Sequence, residues 1–258
     1  MQGFWEQYGT LSTVDWCEPN YIWVSFVAEW WNTLTSVPMG LAGLFGFVAC
    51  WFSKDKIPLR FQASFLALSA IGFGSVAFHG TLLRVSQATD ELPMIGLSLI
   101  SMYCLAVRKD FSWTPDKARR KRLLWGGGTA LYGVAFVLAY FLAEAYFLVF
   151  LLSYSSMVFY VVGRSWWLTF TGRRSALLER IGWTSFLAFG FGLFGLWFPE
   201  HVILDCDHPI QALPLHAGWH ITSTVGGYGW VLWAIADYKR LQQDDIRLTW
   251  RGTGLLVE

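Results

Sequence analysis

Charge is what this sequence lacks. Asp, Glu, Lys and Arg make up 14% of its 258 residues, against roughly 25% in a soluble globular domain, so a water-facing surface cannot be clothed and a soluble fold is excluded. Net charge is missing as well. The 19 basic and 18 acidic residues leave +1, which excludes a basic nucleic-acid binder, and the scarcity of polar residues excludes a disordered chain. Internal repeats and low-complexity tracts are absent, and MQGFWEQYGTLSTVDWCEP lacks the basic-then-apolar pattern of a cleavable signal peptide. What fills the chain instead is 55% hydrophobic residues, 18% aromatic residues and a mean hydropathy of +0.41. Lipid is the solvent for such a composition, which leaves channel, transporter, receptor and intramembrane enzyme open.

A bilayer core about 30 Å thick takes roughly 20 apolar residues in a helix. Seven stretches poor in charge meet this need: Thr33–Phe52, Phe61–Leu83, Leu92–Val107, Leu123–Ala143, Ala145–Gly163, Ile181–Pro199 and Pro209–Ala236. Pro38, Pro93 and Pro214 fall near span ends, where a missing N–H is tolerated, and Asp90-Glu91 stand at the head of the short third span. The connections leave no room for a soluble domain. Expected, therefore, is an all-α bundle of seven transmembrane helices in a single domain, with residues 1–32 preceding it, 33–236 forming the bundle and 237–258 a tail.

Basic residues orient the bundle, because Lys and Arg are retained on the cytosolic side. Lys54, Lys56 and Arg60 follow span one, and Arg108, Lys109, Lys117, Arg119, Arg120, Lys121 and Arg122 follow span three. Arg164, Arg173, Arg174 and Arg180 follow span five, and Lys239, Arg240, Arg247 and Arg251 lie in the tail. Only Arg84 falls on the other side. The N-terminus is thereby lumenal and the C-terminus cytosolic. Cys17 and Cys206 both lie on the lumenal side, where disulfides persist, and a bridge between them is expected; Cys50 and Cys104 lie near cytosolic ends.

Ionisable residues inside a membrane are functional candidates by default. Of five histidines, His79, His216 and His220 fall inside spans. The H-x-x-x-H spacing of His216 and His220 puts both imidazoles on one helix face, one turn apart. Neutral imidazoles bonded to neighbouring helices would explain that pair equally well. His79, in the same lumenal half, makes a three-ligand zinc site with an open fourth position the sharper reading. Ser75, four residues before His79, shares its helix face, and Asp90 is the nearest compatible carboxylate. An open zinc site polarises a carbonyl and activates water while a carboxylate accepts the proton, the minimum equipment for hydrolysing an amide or ester. Ser75 also fits a small-residue packing strip, Gly72-Phe73-Gly74-Ser75, and Asp90 a helix cap. Asp15, Glu18, Asn20 and Glu29, with a carbonyl near Trp16, offer hard oxygens of the kind calcium takes. For Asp15 and Glu18 a solvated acidic terminus with a cap is the simpler account; for Glu29, amid aromatic residues, it is not.

DWCEPNY, VAEWWNT, GFGSVAFHGTL, QATDELPMI and HAGWH, in this order from Asp15 to His220, together resemble the alkaline ceramidase family of seven-span hydrolases. Adiponectin and progestin-type receptors share only the broader zinc-site logic. The resemblance implies a lipid amidase of the endoplasmic reticulum or Golgi membrane that cleaves ceramide or phytoceramide into a sphingoid base and a fatty acid. It implies zinc on His79, His216 and His220, catalytic roles for Ser75 and Asp90, and a structural or regulatory calcium on Asp15, the Trp16 carbonyl, Glu18, Asn20 and Glu29. It also implies a lumenal Cys17–Cys206 disulfide. The expected chemistry has Asp90 as general base and then proton donor to the amine, with Ser75 hydrogen-bonding the oxyanion. A lipid-signalling receptor with a structural zinc is the rival reading. A metal transporter is disfavoured because the charged groups gather in one half of the membrane.

Overall fold

The computed structural model describes residues 4–171, 175–242 and 246–257; Arg173 and Arg174, counted above among the orienting residues, lie outside them. Seven α-helices follow in order: α1 (Trp30–Trp51), α2 (Leu59–Thr81), α3 (Arg84–Ala106), α4 (Pro115–Leu142), α5 (Tyr146–Thr171), α6 (Ala176–Phe191) and α7 (Leu215–Arg240). Among the described residues six are long and apolar enough to cross a membrane: α1 to α5 and α6 together with the π-helical turns that carry it to Ile203. The chain is of the helical integral membrane class.

The seventh helix has the length but not the composition of the others. It carries His216, His220, Thr222, Ser223 and Thr224 and ends in Asp237, Lys239 and Arg240. Polar side chains in an apolar setting are tolerated where they turn toward protein, and α7 is buried without a break from Trp230 to Asp237.

Helix ends depart from the charge-free runs in an instructive way. α3 begins at Arg84 instead of Leu92, so Asp90 and Glu91 lie inside the helix and not at its head, and Asp90 does not cap it. A charge-free run underestimates a helix whose polar residues point inward: Gln87 and Glu91 are buried, and Gln87 Nε2 donates to Glu91 Oε1 at 2.7 Å. Pro38 and Pro93 likewise sit inside α1 and α3 instead of near their ends. The all-α expectation also missed a C-terminal hairpin, β1 (Leu248–Arg251) paired antiparallel with β2 (Gly254–Val257). Its two-residue turn uses Gly252 at φ +55°, a conformation glycine adopts without strain.

The chain divides into two compact units. The first comprises Met1–Phe45, Leu66–Pro93 and Thr184–Tyr228, and the second Gly46–Phe65, Met94–Trp183 and Gly229–Glu258. In the first, the N-terminal segment lies along the α2–α3 turn: Ser12 and Ala28 donate their N–H to the Leu82 and Gly80 carbonyls, and Glu29 donates to that of His79. The Cys17–Cys206 disulfide ties the segment to the connection before α7. Close helix approach needs residues without side chains, and a Cβ on Gly72 would meet the Gly40 nitrogen of α1 at 2.0 Å.

The second unit is pinned by buried polar pairs. Arg108 grips both oxygens of Asp237 at 2.6 Å, with Arg240 on the same carboxylate. Trp230 and Trp233 of α7 donate their indole N–H groups to Ser165 and Thr169 of α5.

Candidate metal centre

His79 is the third residue from the end of α2; His216 and His220 open α7. All three are buried, and their ring centroids stand 4.7 to 5.1 Å apart. One nitrogen from each lies within 4.8 Å of the others, and among the described residues no other set of three His, Cys, Asp or Glu closes this far.

The surrounding bonds decide which nitrogen is presented. His79 Nδ1 meets Glu29 Oε2; a carboxylate only accepts, so Nδ1 carries the proton and Nε2 the lone pair. That Nε2 is buried with no partner among the described residues. His220 Nδ1 lies 3.1 Å from the Asn32 carbonyl and equally far from the Thr35 and Ser36 hydroxyls. A carbonyl also only accepts, so here too Nε2 is the nitrogen left to a ligand. His216 stacks on the Trp16 indole, centroid to centroid 3.6 Å, with its Nδ1 3.5 Å from Glu200 Oε2. A buried nitrogen with a lone pair and no donor costs free energy, as His79 Nε2 does here, and a cation held by the three imidazoles removes that cost. The residues fit a three-histidine metal site whose ligands are oriented by a carboxylate and a carbonyl behind them.

Ser75 and Asp90 border this centre. The Ser75 hydroxyl is 3.0 Å from that of Ser36, which itself bonds the Asn32 carbonyl and His220 Nδ1. Its neighbour Gly74 is the reason α3 comes so close: a Cβ there would meet the Thr89 carbonyl at 1.9 Å. The strip is thus a packing device that delivers a hydroxyl and, one residue beyond Thr89, a carboxylate. Asp90 is half-buried, within electrostatic reach of His79, and makes no hydrogen bond among the described residues.

The acidic residues are arranged differently. Glu18 accepts from the N–H groups of Trp31 and Asn32 at 2.7 and 3.0 Å, capping the first turn of α1. Asn20 Nδ2 donates to both oxygens of Asp15, while its own Oδ1 is buried without a partner among the described residues. Glu29, fully buried, accepts from the Trp16 N–H at 2.9 Å and from Asn32 Nδ2 at 3.0 Å besides His79. Burial raises the Asp15 and Glu18 carboxyls above their ordinary values, with the Glu29 charge adding to it, against lowering hydrogen bonds from Asn20 and from the α1 amides. An unpartnered amide oxygen among carboxyls pushed toward neutrality is a donor set that a hard cation relieves.

Three contributors were missed from sequence: Asn32, Ser36 and Glu200. The first two had a signal, since Glu29, Asn32 and Ser36 recur at i, i+3 and i+7 as a polar stripe on an apolar helix. Glu200 had none, because its approach to His216 depends on the π-helical continuation of α6.

The ceramidase family model matches residues 9–255. The chain belongs to the ceramidase family. It is 32% identical over 245 residues to alkaline ceramidase 3 of Mus musculus, covering 91% of this chain and 86% of that protein. Alkaline ceramidase 1 of Homo sapiens is 24% identical over 233 residues, 88% of this chain and 83% of the human protein. Alkaline ceramidase YPC1 of Saccharomyces cerevisiae is 38% identical over a shorter stretch of 103 residues, 40% of this chain and 31% of the yeast protein. For a family member, the residues gathered around His79, His216 and His220 are the place to look for chemistry.

Proposed function

We propose that this chain is an alkaline ceramidase that hydrolyses the ceramide amide within the membrane to a sphingoid base and a fatty acid, with zinc on His79, His216 and His220. The observation that carries the reading is the buried three-histidine cluster with a bare Nε2 on His79, beside Ser75 and Asp90, in a chain of this family. Zinc, when bound, polarises the amide carbonyl and makes water a nucleophile near neutral pH. Asp90, free of hydrogen bonds among the described residues, takes a proton from the attacking water as its oxygen joins the acyl carbon, then passes it to the amine nitrogen as the C–N bond breaks. Ser75 donates to the developing oxyanion, a role that asks only for a preplaced hydroxyl. Glu29 and the Asn32 carbonyl hold His79 and His220 in the tautomer that offers Nε2.

The same reading takes α1 to α7 as seven spans of one domain in the endoplasmic reticulum or Golgi membrane, the N-terminus lumenal and the C-terminus cytosolic. Its support is the placement of 18 of 19 basic residues in segments of one side and the 26-residue length of α7, about 39 Å. Residues 1–32 would hold a structural or regulatory calcium through Asp15, the Trp16 carbonyl, Glu18, Asn20 and Glu29.

The test is hydrolysis by purified protein. Ceramide in mixed micelles should yield sphingoid base and fatty acid in equal amounts by mass spectrometry, with one zinc per chain by elemental analysis and both lost in His216→Ala. Zinc bound at full stoichiometry by a folded protein that releases no sphingoid base would instead favour a receptor.

A further inference from the structure

We propose that the face of α4 carrying Arg119, Arg122, Gly126 and Gly133 binds an anionic phospholipid, with its phosphate at the arginine end and an acyl chain in the cleft beyond. No residue of the histidine site takes part.

Residues 119, 122, 126, 130 and 133 recur at three- and four-residue intervals and therefore share one face of α4. Along that face the second unit holds a cleft of about 590 Å³, bounded by Gly126 and Gly133 on α4, Gly96 and Tyr103 on α3, and Arg60 at the start of α2. That volume is ordinary for a bound ligand, and most of the helix is exposed, its buried residues being Ala118, Phe136 and Tyr140. The glycines are not explained by close packing. A Cβ on Gly96 would meet nothing within 4 Å, on Gly126 only Tyr103 at 3.8 Å, and on Gly133 only Leu99 at 3.4 Å, an ordinary contact. Glycine inside a helix weakens it, so these positions keep a trough open where side chains would fit.

Charge identifies the occupant. Arg60 and Arg122 converge on the single carboxylate of Asp110 at 3.2 and 3.1 Å, leaving one positive charge over at the mouth of the cleft. Lys109, Arg119, Arg120 and Lys121 are exposed and make no ion pair among the described residues. Guanidinium groups match phosphate oxygens in pairs, and a basic run at the end of an apolar helix attracts anionic lipid. From Arg122 to Gly133 the trough runs about 16 Å, half the thickness of a bilayer core, which suits one acyl chain under its headgroup. A second cleft of about 670 Å³ adjoins at Leu99 and Thr129 and gives a two-chain lipid room for the other.

Native mass spectrometry of the full chain, released from micelles containing phosphatidic acid or phosphatidylcholine of the same acyl chains, tests this. Retention of phosphatidic acid should exceed that of phosphatidylcholine by about tenfold. Arg119→Ala and Arg122→Ala should each lower it about fivefold, and Gly126→Leu and Gly96→Leu, which fill the cleft, should abolish it. Gly127→Leu burdens the same helix with the same side chain outside the cleft and should retain lipid as wild type does. Millimolar inorganic phosphate should not displace the lipid. Equal retention of the two lipids, full retention in both cleft-filling variants, equal loss in Gly127→Leu, or displacement by inorganic phosphate overturns the proposal.

Discussion

His79 and His220 each spend one ring nitrogen on a fixed acceptor and leave the other bare, whereas the acidic residues beside them spend their oxygens on the fold. Glu18 caps α1 and Asp15 holds Asn20. Both groups lie in the first unit, and both contain residues that chelate metals. Among the described residues only the histidines bring three buried ligand atoms within 4.8 Å of one another. A cluster with unmet bonding capacity is arranged for something that arrives later; a cluster that satisfies backbone donors holds its segment in place whether or not an ion is bound. Glu29 belongs to both, since its Oε1 takes the Trp16 N–H of the acidic segment while its Oε2 orients His79.

The sharpest break in this comparison comes from the histidines. His79→Ala or His220→Ala should lower ceramide hydrolysis by more than the 10² to 10³ that losing one oxyanion donor costs, with bound zinc lost and the unfolding temperature lowered by loss of the metal, more so in His79→Ala, which leaves buried Glu29 without its partner. Acidification should act in the same direction, because protons compete for the lone pairs that hold the metal. Retained hydrolysis in a zinc-free variant would remove the cluster from the mechanism. The next largest effect belongs to the segment. Cys17→Ser with Cys206→Ser opens a link across 189 residues and should destabilise the protein by about 2 to 4 kcal/mol, read as a lower unfolding temperature. With the segment loosened, calcium affinity should fall further than zinc affinity; equal losses would mean that the two groups are one cooperative site.

What the sequence made legible follows the same division. The histidines stood out because an ionisable residue in an apolar run is costly, so His79, His216 and His220 could be read with no knowledge of packing. Asp90 was legible as a candidate but misplaced, since a run of uncharged residues marks where lipid begins and not where α3 begins, and Gln87, Asp90 and Glu91 lie within the helix. Glu200 was out of reach, because contact with His216 depends on a π-helical turn and on chain brought together by tertiary structure. The hairpin at 248–257 left a faint trace in alternating LTWR and the GTG turn, too short to stand against six long apolar helices.

A smaller effect separates the two halves of Glu29. Glu29→Gln keeps a group of the same shape, which can still accept from Asn32, but it removes the charge behind His79. Loss of such a supporting carboxylate typically lowers metal affinity 10- to 100-fold, and zinc titration of the stripped variant should fall in that range. Asp15→Asn, with no bond to a histidine, should leave zinc affinity within about twofold, well short of the supporting-carboxylate range. An equal loss in Asp15→Asn would show that net charge around the cluster, and not the Glu29–His79 contact, sets the affinity.

The smallest effect tests what Glu18 is for. As a cap, its loss in Glu18→Gln weakens the bonds to the Trp31 and Asn32 amides and the favourable charge at the α1 N-terminus, together about 1 kcal/mol. That destabilisation is the same with calcium and with chelator. As a calcium ligand, Glu18 would add a second part that appears only when calcium is present, so the gap between wild type and variant should widen on adding calcium. Unfolding temperatures of both proteins in both conditions form a double-difference cycle. A widening gap assigns Glu18 to the ion as well as to the helix, and a constant gap leaves it a cap alone and narrows any calcium set to Asp15, Asn20, Glu29 and the Trp16 carbonyl.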